Sequence, residues 1–151
     1  MVTLGDPTVD VLAVRDSDYK FIERDKAAVD EWLESGKMFH VMRDHPQHNI
    51  NVLGGMWGAR WDNLVYRDNK RIIRLPPPSP QQVREIRNKM LQAAYNLSDK
   101  GMDQTILGKL LWPKMKRSLV AHDSFHCKAY PTGWRPWPTQ RQNGTFVGNA
   151  S

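Results

Sequence analysis

A β-branched apolar run, Thr8 to Arg15 (TVDVLAVR), passes through Asp16-Ser17-Asp18 into a stretch of helical periodicity. This strand-to-helix succession constrains the fold more than any other feature of the chain. The run reads as a mostly buried strand. In ERDKAAVDEWLES, Ala28, Val29, Trp32 and Leu33 share one helical face, and Gly36 is placed to stop the helix. Lys37 to Met42 (KMFHVM) is a second strand candidate, with Arg43-Asp44-His45-Pro46 leaving it as a loop.

Further along, Asn51 to Gly58 (NVLGGMWG) is apolar but punctuated by glycine, which suits a tight turn or a close approach to a ligand. Leu75 to Pro80 (LPPPSP) is a stiff break, after which Ser79, Pro80 and Gln82 form the signature of a capped helix start. Val83, Ile86, Met90, Ala94 and Leu97 make its apolar stripe. A second helix is expected from Asp103 to Leu111, closed by Trp112-Pro113, and then a strand from Ser118 to Ala121 ending at His122-Asp123-Ser124. From Lys128 the chain is rich in Pro, Trp and Gly and reads as irregular. The order β-α-β-loop-αα-β predicts an α/β domain, a small mixed sheet with flanking helices.

The chain has 151 residues, enough for one domain with a modest core. No apolar run reaches the ~18 residues of a membrane span. The formal net charge of +6 points either to an anionic partner or simply to a solvated basic surface, the basic residues being spread along the chain and densest between Arg60 and Arg74. Cys127 is the single cysteine, which excludes an intrachain disulfide and a zinc site built on several cysteines. N-x-S/T triplets at Asn96, Asn143 and Asn149 point towards a Golgi or other secretory lumen and a glycoprotein, although the first residues lack the basic and apolar regions of a signal.

Asp16 and Asp18 are the leading site candidates. Two carboxylates two residues apart at a strand end project to the same side. Such oxygen ligands suit Mg²⁺ or Mn²⁺ carrying substrate phosphates; the alternative is a helix cap beside a solvated side chain. His122, after the late strand, could complete a metal site or simply order its turn. The knot HVMRDHPQH is expected to be a buried Asp-His-Arg cluster shaping a loop rather than a zinc site. Trp57, beside Gly54-Gly55, reads as a ligand wall or as a core side chain. Asp103 is an ordinary helix cap on spacing alone.

The succession RDSD, FHVMRDHPQH, LGGMWGARW, MDQTIL, HDSFHC and FVG resembles a family of glycosyltransferase-like proteins of the GT-A type, from about Val9 to Gly148. The resemblance implies a metal-dependent transferase of hexosyltransferase type, acting from a nucleoside-diphosphate sugar on a glycan, protein or lipid acceptor. Asp16, Asp18 and His122 would hold Mn²⁺ or Mg²⁺ on the donor diphosphate. Arg15, Gly54, Gly55 and Trp57 would lie against substrate, and Asp103 and Gln104 would act at the acceptor side. Such domains carry a βαβ region before the D-x-D that grips base and ribose, whereas only 15 residues precede Asp16 here. The resemblance thus implies the C-terminal part of a GT-A domain, either as a fragment or as a member that has shed its nucleotide half, and little sugar transfer is expected from it alone. The alternative from another class is a non-enzymatic, basic nucleic-acid-binding module.

Overall fold

The computed structural model describes residues 3–6, 8–61, 65–68, 71–74, 79–95 and 101–149. Most of the proline-rich break and Leu97 lie outside these residues. The elements run β1 (Val11–Arg15), α1 (Glu23–Ser35), β2 (Phe39–Arg43), β3 (Met56–Arg60), β4 (Val65–Asp68), β5 (Arg71–Arg74) and α2 (Pro80–Ala94). They continue as α3 (Met102–Ile106), a π-helical turn (Leu107–Leu111), α4 (Trp112–Met115), β6 (Leu119–Asp123) and β7 (Trp134–Arg135). The main sheet has the order β1-β3-β2-β6-β7. β3 is antiparallel to both β1 and β2, whereas β6 is parallel to β2 and to β7. β4 and β5 pair separately. The fold is the expected mixed α/β sheet with helices on its faces.

Strand alternation assigns the two faces. Phe39 and Val41, Trp57 and Ala59, and Leu119 and Ala121 join Val83, Met90, Leu107, Leu111 and Met115 in one core. The intervening residues face α1, where Met42 and Met56 pack with Ala28 and Val147. Trp32 is fully buried on this side, and its Nε1 donates to the Lys37 carbonyl at 2.9 Å, tying the end of α1 to the start of β2. Gly36, at φ 66°, terminates α1 in the left-handed conformation that glycine adopts without steric cost.

The α2 start carries both halves of its capping box: Ser79 Oγ accepts from the Gln82 amide at 3.2 Å, and Gln82 Oε1 from the Ser79 amide at 2.9 Å. Three local expectations need correction. Trp112-Pro113 does not close the second helix. The chain widens into the π turn, with the Trp112 amide bonded to the Leu107 carbonyl, and carries on through Pro113. A proline ring clashes with the carbonyl four residues back in an ordinary α-helix, and the wider turn relieves that crowding. The glycine-rich Asn51–Gly58 stretch is a turn only in its first half, because Met56 begins a fully buried central strand. The tail from Lys128 supplies the short edge strand β7.

Candidate functional site

The carboxyl ends of β1, β2 and β6 share one edge of the sheet, and the start of antiparallel β3 lies there too. Asp16 leaves β1 at this edge. Its carboxylate occupies the space that a Cβ on Gly55 would need. A Cβ on Gly54 would likewise overlap the carboxylate of Asp103, in the first turn of α3. Three distant segments therefore meet at the glycine pair, whose missing side chains let two acidic groups lie against the backbone. Asp16 and Asp103 are both solvent-exposed. Asp103 is not the cap: Gly101 stands at that position with φ 85°, and no side chain caps the helix. Beside the Gly54–Asp103 contact lies a mixed polar and apolar cleft of about 250 Å³ lined by Ile50, Asn51, Val52, Gln104, Thr105 and two glycines.

Other expected site residues are placed elsewhere. His122 is the fourth residue of β6 and is fully buried. Its ring nitrogens are both engaged, Nδ1 with His40 Nε2 at 2.8 Å and Nε2 with Glu31 Oε2 at 3.0 Å. Three inter-strand spacings separate β6 from β1, which at ~4.8 Å each sets the strands ~14 Å apart. His122 also faces α1, where its Nε2 meets Glu31. The expected convergence of Asp16, Asp18 and His122 on one ion is therefore corrected. Asp18 stays exposed in the turn after β1. Among the described residues, no group of three or more His, Cys, Asp and Glu side chains could hold a metal.

Arg15 is engaged within the protein. Its guanidinium pairs with both carboxylate oxygens of Asp25 at 2.9 Å and reaches the Val14 and Trp57 carbonyls. Trp57 is 1% exposed inside the core, so it walls no ligand site.

The HVMRDHPQH segment forms a buried polar cluster, as its composition suggests, but its strongest partners come from far along the chain. Asp44 accepts from Arg24 at 2.8 and 3.1 Å, from Arg141 at 2.8 Å, from Ser124 Oγ at 2.5 Å and from the Val147 amide at 3.0 Å. Burial alone would raise the Asp44 carboxyl, but these hydrogen bonds outweigh it and hold the group below the usual carboxylate range. Arg43 pairs with Asp123 at 2.6 Å, and the Tyr130 ring covers its guanidinium at 4.7 Å. Sequence reasoning missed this role of Asp44, whose partners carry no motif.

The two buried histidines form a single proton chain. His40 stacks on Trp32, and its Nδ1 has no partner. The neutral tautomers consistent with these bonds have His40 Nε2–H donating to His122 and His122 Nε2–H donating to Glu31, which Arg135 holds from its other side at 3.1 Å. Desolvation drives both imidazoles below their ordinary values; for His122 the nearby Glu31 carboxylate opposes it only in part.

No family model, no curated protein and no solved structure matches this chain.

Proposed function

We propose that the Asp16–Gly55 and Gly54–Asp103 edge binds the metal-complexed diphosphate of a nucleoside-diphosphate sugar, and that the chain is a GT-A-like glycosyltransferase domain acting on a glycan, protein or lipid acceptor. The observation that carries this reading is the meeting of Asp16, the glycine pair and Asp103 at the carboxyl edge of the sheet. Ligands of open α/β sheets bind at such edges.

The donor set fits a particular kind of ion. Mg²⁺ and Mn²⁺ bind through one or two carboxylates, retained waters and the substrate's own phosphate oxygens, without an all-protein cage. One exposed carboxylate, Asp16, with Asp18 two residues on, suits that demand; the loss of His122 as a ligand leaves more positions for phosphate and water. The metal would neutralise charge on the leaving diphosphate. Gly55 leaves room for the Asp16 carboxylate to lie against the backbone, which would fix it where it meets the metal. Asp103, across the glycine pair, would orient the sugar or acceptor hydroxyl, with Gln104 and Asn51 offering amide donors and acceptors in the adjoining cleft.

Calorimetric titration with nucleoside diphosphate and mononucleotide, each with and without Mn²⁺, tests the reading. Mn²⁺-dependent preference for the diphosphate, abolished in Asp16→Asn, is the expected result. Equal binding of both nucleotides, or binding indifferent to Mn²⁺, overturns it.

A further inference from the structure

The helical run from Met102 to Met115 is polarised. It opens beside Asp103 at the carboxyl edge of the sheet and leads, roughly 20 Å away at ~1.5 Å of rise per residue, to Lys114 and to Lys116 and Arg117 in the turn that follows. These three side chains are exposed, as is Lys109 earlier in the run, while Leu107, Leu111, Trp112 and Met115 turn into the core. No ion pair among the described residues reaches any of the four cations. The chain then enters β6 beside the start of β2: the Phe39 amide donates to the Ser118 carbonyl at 2.9 Å and the Met38 amide to Ser118 Oγ at 2.9 Å. Lys37 precedes that contact, so the basic cluster sits at the amino ends of the parallel strands. This is the pole opposite Asp16, Asp18 and Asp103. Among the described residues, the acidic groups towards this pole include Asp6 and Asp10, before the far edge strand β1, and Glu34, in the last turn of α1 on the other face.

We propose that this basic pole docks on the surface of an anionic lipid bilayer. Cations at a helix end ordinarily complement the helix dipole, but three in four residues with no acidic partner exceed that need. A negatively charged plane attracts such a cluster by about a factor of five per cation, and it repels the acidic edge. The protein would then settle with its basic pole down and the Asp16–Gly55 edge facing solution. A flat headgroup layer fits better than nucleic acid. The cations cap the end of a helix rather than line a groove, and among the described residues no exposed aromatic side chain accompanies them as a stacking platform for bases. Among the described residues the only exposed apolar group in the cluster is the small Pro113 ring, with no large apolar side chain to insert, so attachment should be electrostatic and sensitive to salt.

Co-sedimentation with phosphatidylcholine vesicles, plain or doped with phosphatidylserine, tests the proposal. Binding to the doped vesicles alone, weakened by added salt, is expected. Lys114→Ala, Lys116→Ala and Arg117→Ala should each lower partitioning about fivefold, and the triple variant roughly hundredfold. A charge-matched control, K20A/K26A/K128A, removes exposed lysines away from the pole and should stay close to wild type. All these side chains are exposed, so circular dichroism should report unchanged folding. Equal losses in the two triple variants would reduce the effect to net charge and overturn the proposal. So would no binding to doped vesicles, or a nucleic-acid duplex that displaces the vesicles through the same three residues.

Discussion

The carboxylate of Asp16 fills the space where a side chain on Gly55 would begin. This packing depends on glycine for room rather than for backbone conformation, because no positive φ occurs at Gly54 or Gly55. A methyl group at either position would therefore displace a carboxylate, and an exposed carboxylate is a cheap group to move.

Gly55→Ala and Gly54→Ala are thus expected to leave thermal stability almost unchanged while weakening Mn²⁺-dependent diphosphate binding about tenfold or more, since a misplaced ligand forfeits roughly a hydrogen bond to a charged group. Gly58→Ala is the contrast. Its Cβ would meet the buried Trp32 ring and the Leu12 carbonyl, neither of which can yield freely. A loss of about 1–3 kcal/mol is expected there from overpacking. Urea unfolding alongside nucleotide titration separates the two behaviours, and a large stability loss in Gly55→Ala would show that the glycine serves the core.

Asp44→Ala should be among the most damaging single changes. It leaves the buried Arg24 guanidinium without its carboxylate and releases Arg141 and the Val147 amide, which hold the C-terminal segment against the sheet. Breaking a buried pair in this way costs about 3–5 kcal/mol. Urea unfolding should register that loss, and limited proteolysis should show the tail beyond Thr139 cut first. A midpoint equal to wild type would mean that this cluster contributes nothing net.

Stability should also fall on mild acidification, before most carboxylates titrate. His40, His48 and His122 all have folded values below the ordinary 6.5, with His48 lowered to about 4 chiefly by burial. Below pH 6.5 the unfolded chain takes up protons that the folded chain refuses, so stability is complete above that pH and declines as pH falls towards 4. The urea midpoint should drop across this window, and His48→Gln should flatten part of the drop. A midpoint constant from pH 7 to pH 5 would contradict the neutral, buried state of these rings.

Much of the fold was legible because certain residues signal locally. Gly36 and the Ala28–Trp32 stripe mark the end and the buried face of α1, and Ser79 with Gln82 marks the start of α2. β3 was hidden because Gly54, Gly55 and Gly58 resemble a loop, although each admits a bulky neighbour: two carboxylates and the Trp32 ring. His122 was misread because a polar residue after SLVA looks like the end of a strand. A neutral histidine paired with His40 can instead remain inside the sheet. Asp44 was legible as a member of a buried polar knot, but its partners were not, since Arg24, Ser124 and Arg141 are spread over the length of the chain. The meeting of Asp16 with Gly55 and of Asp103 with Gly54 was suggested only by resemblance of motifs, and the backbone supplies its geometry.

His122→Ala provides a check on the corrected ligand set. Removing a buried ring that bonds both His40 and Glu31 should destabilise the fold by about 2–5 kcal/mol through a cavity and an unpaired polar neighbour. Mn²⁺-dependent diphosphate binding, measured under folding conditions, should persist. Loss of binding in a variant that remains folded would restore His122 as a ligand.

The most direct measurement uses the paramagnetism of Mn²⁺ itself. In amide-resolved NMR spectra, Mn²⁺ added with a nucleoside diphosphate should broaden Asp16, Ser17, Gly54, Gly55 and Asp103 first. Glu31, His40 and His122 should follow only at higher occupancy, and Asp16→Asn should remove the effect. Broadening centred on His122 and Glu31, or none at the glycine pair, would contradict a metal–diphosphate site at this edge.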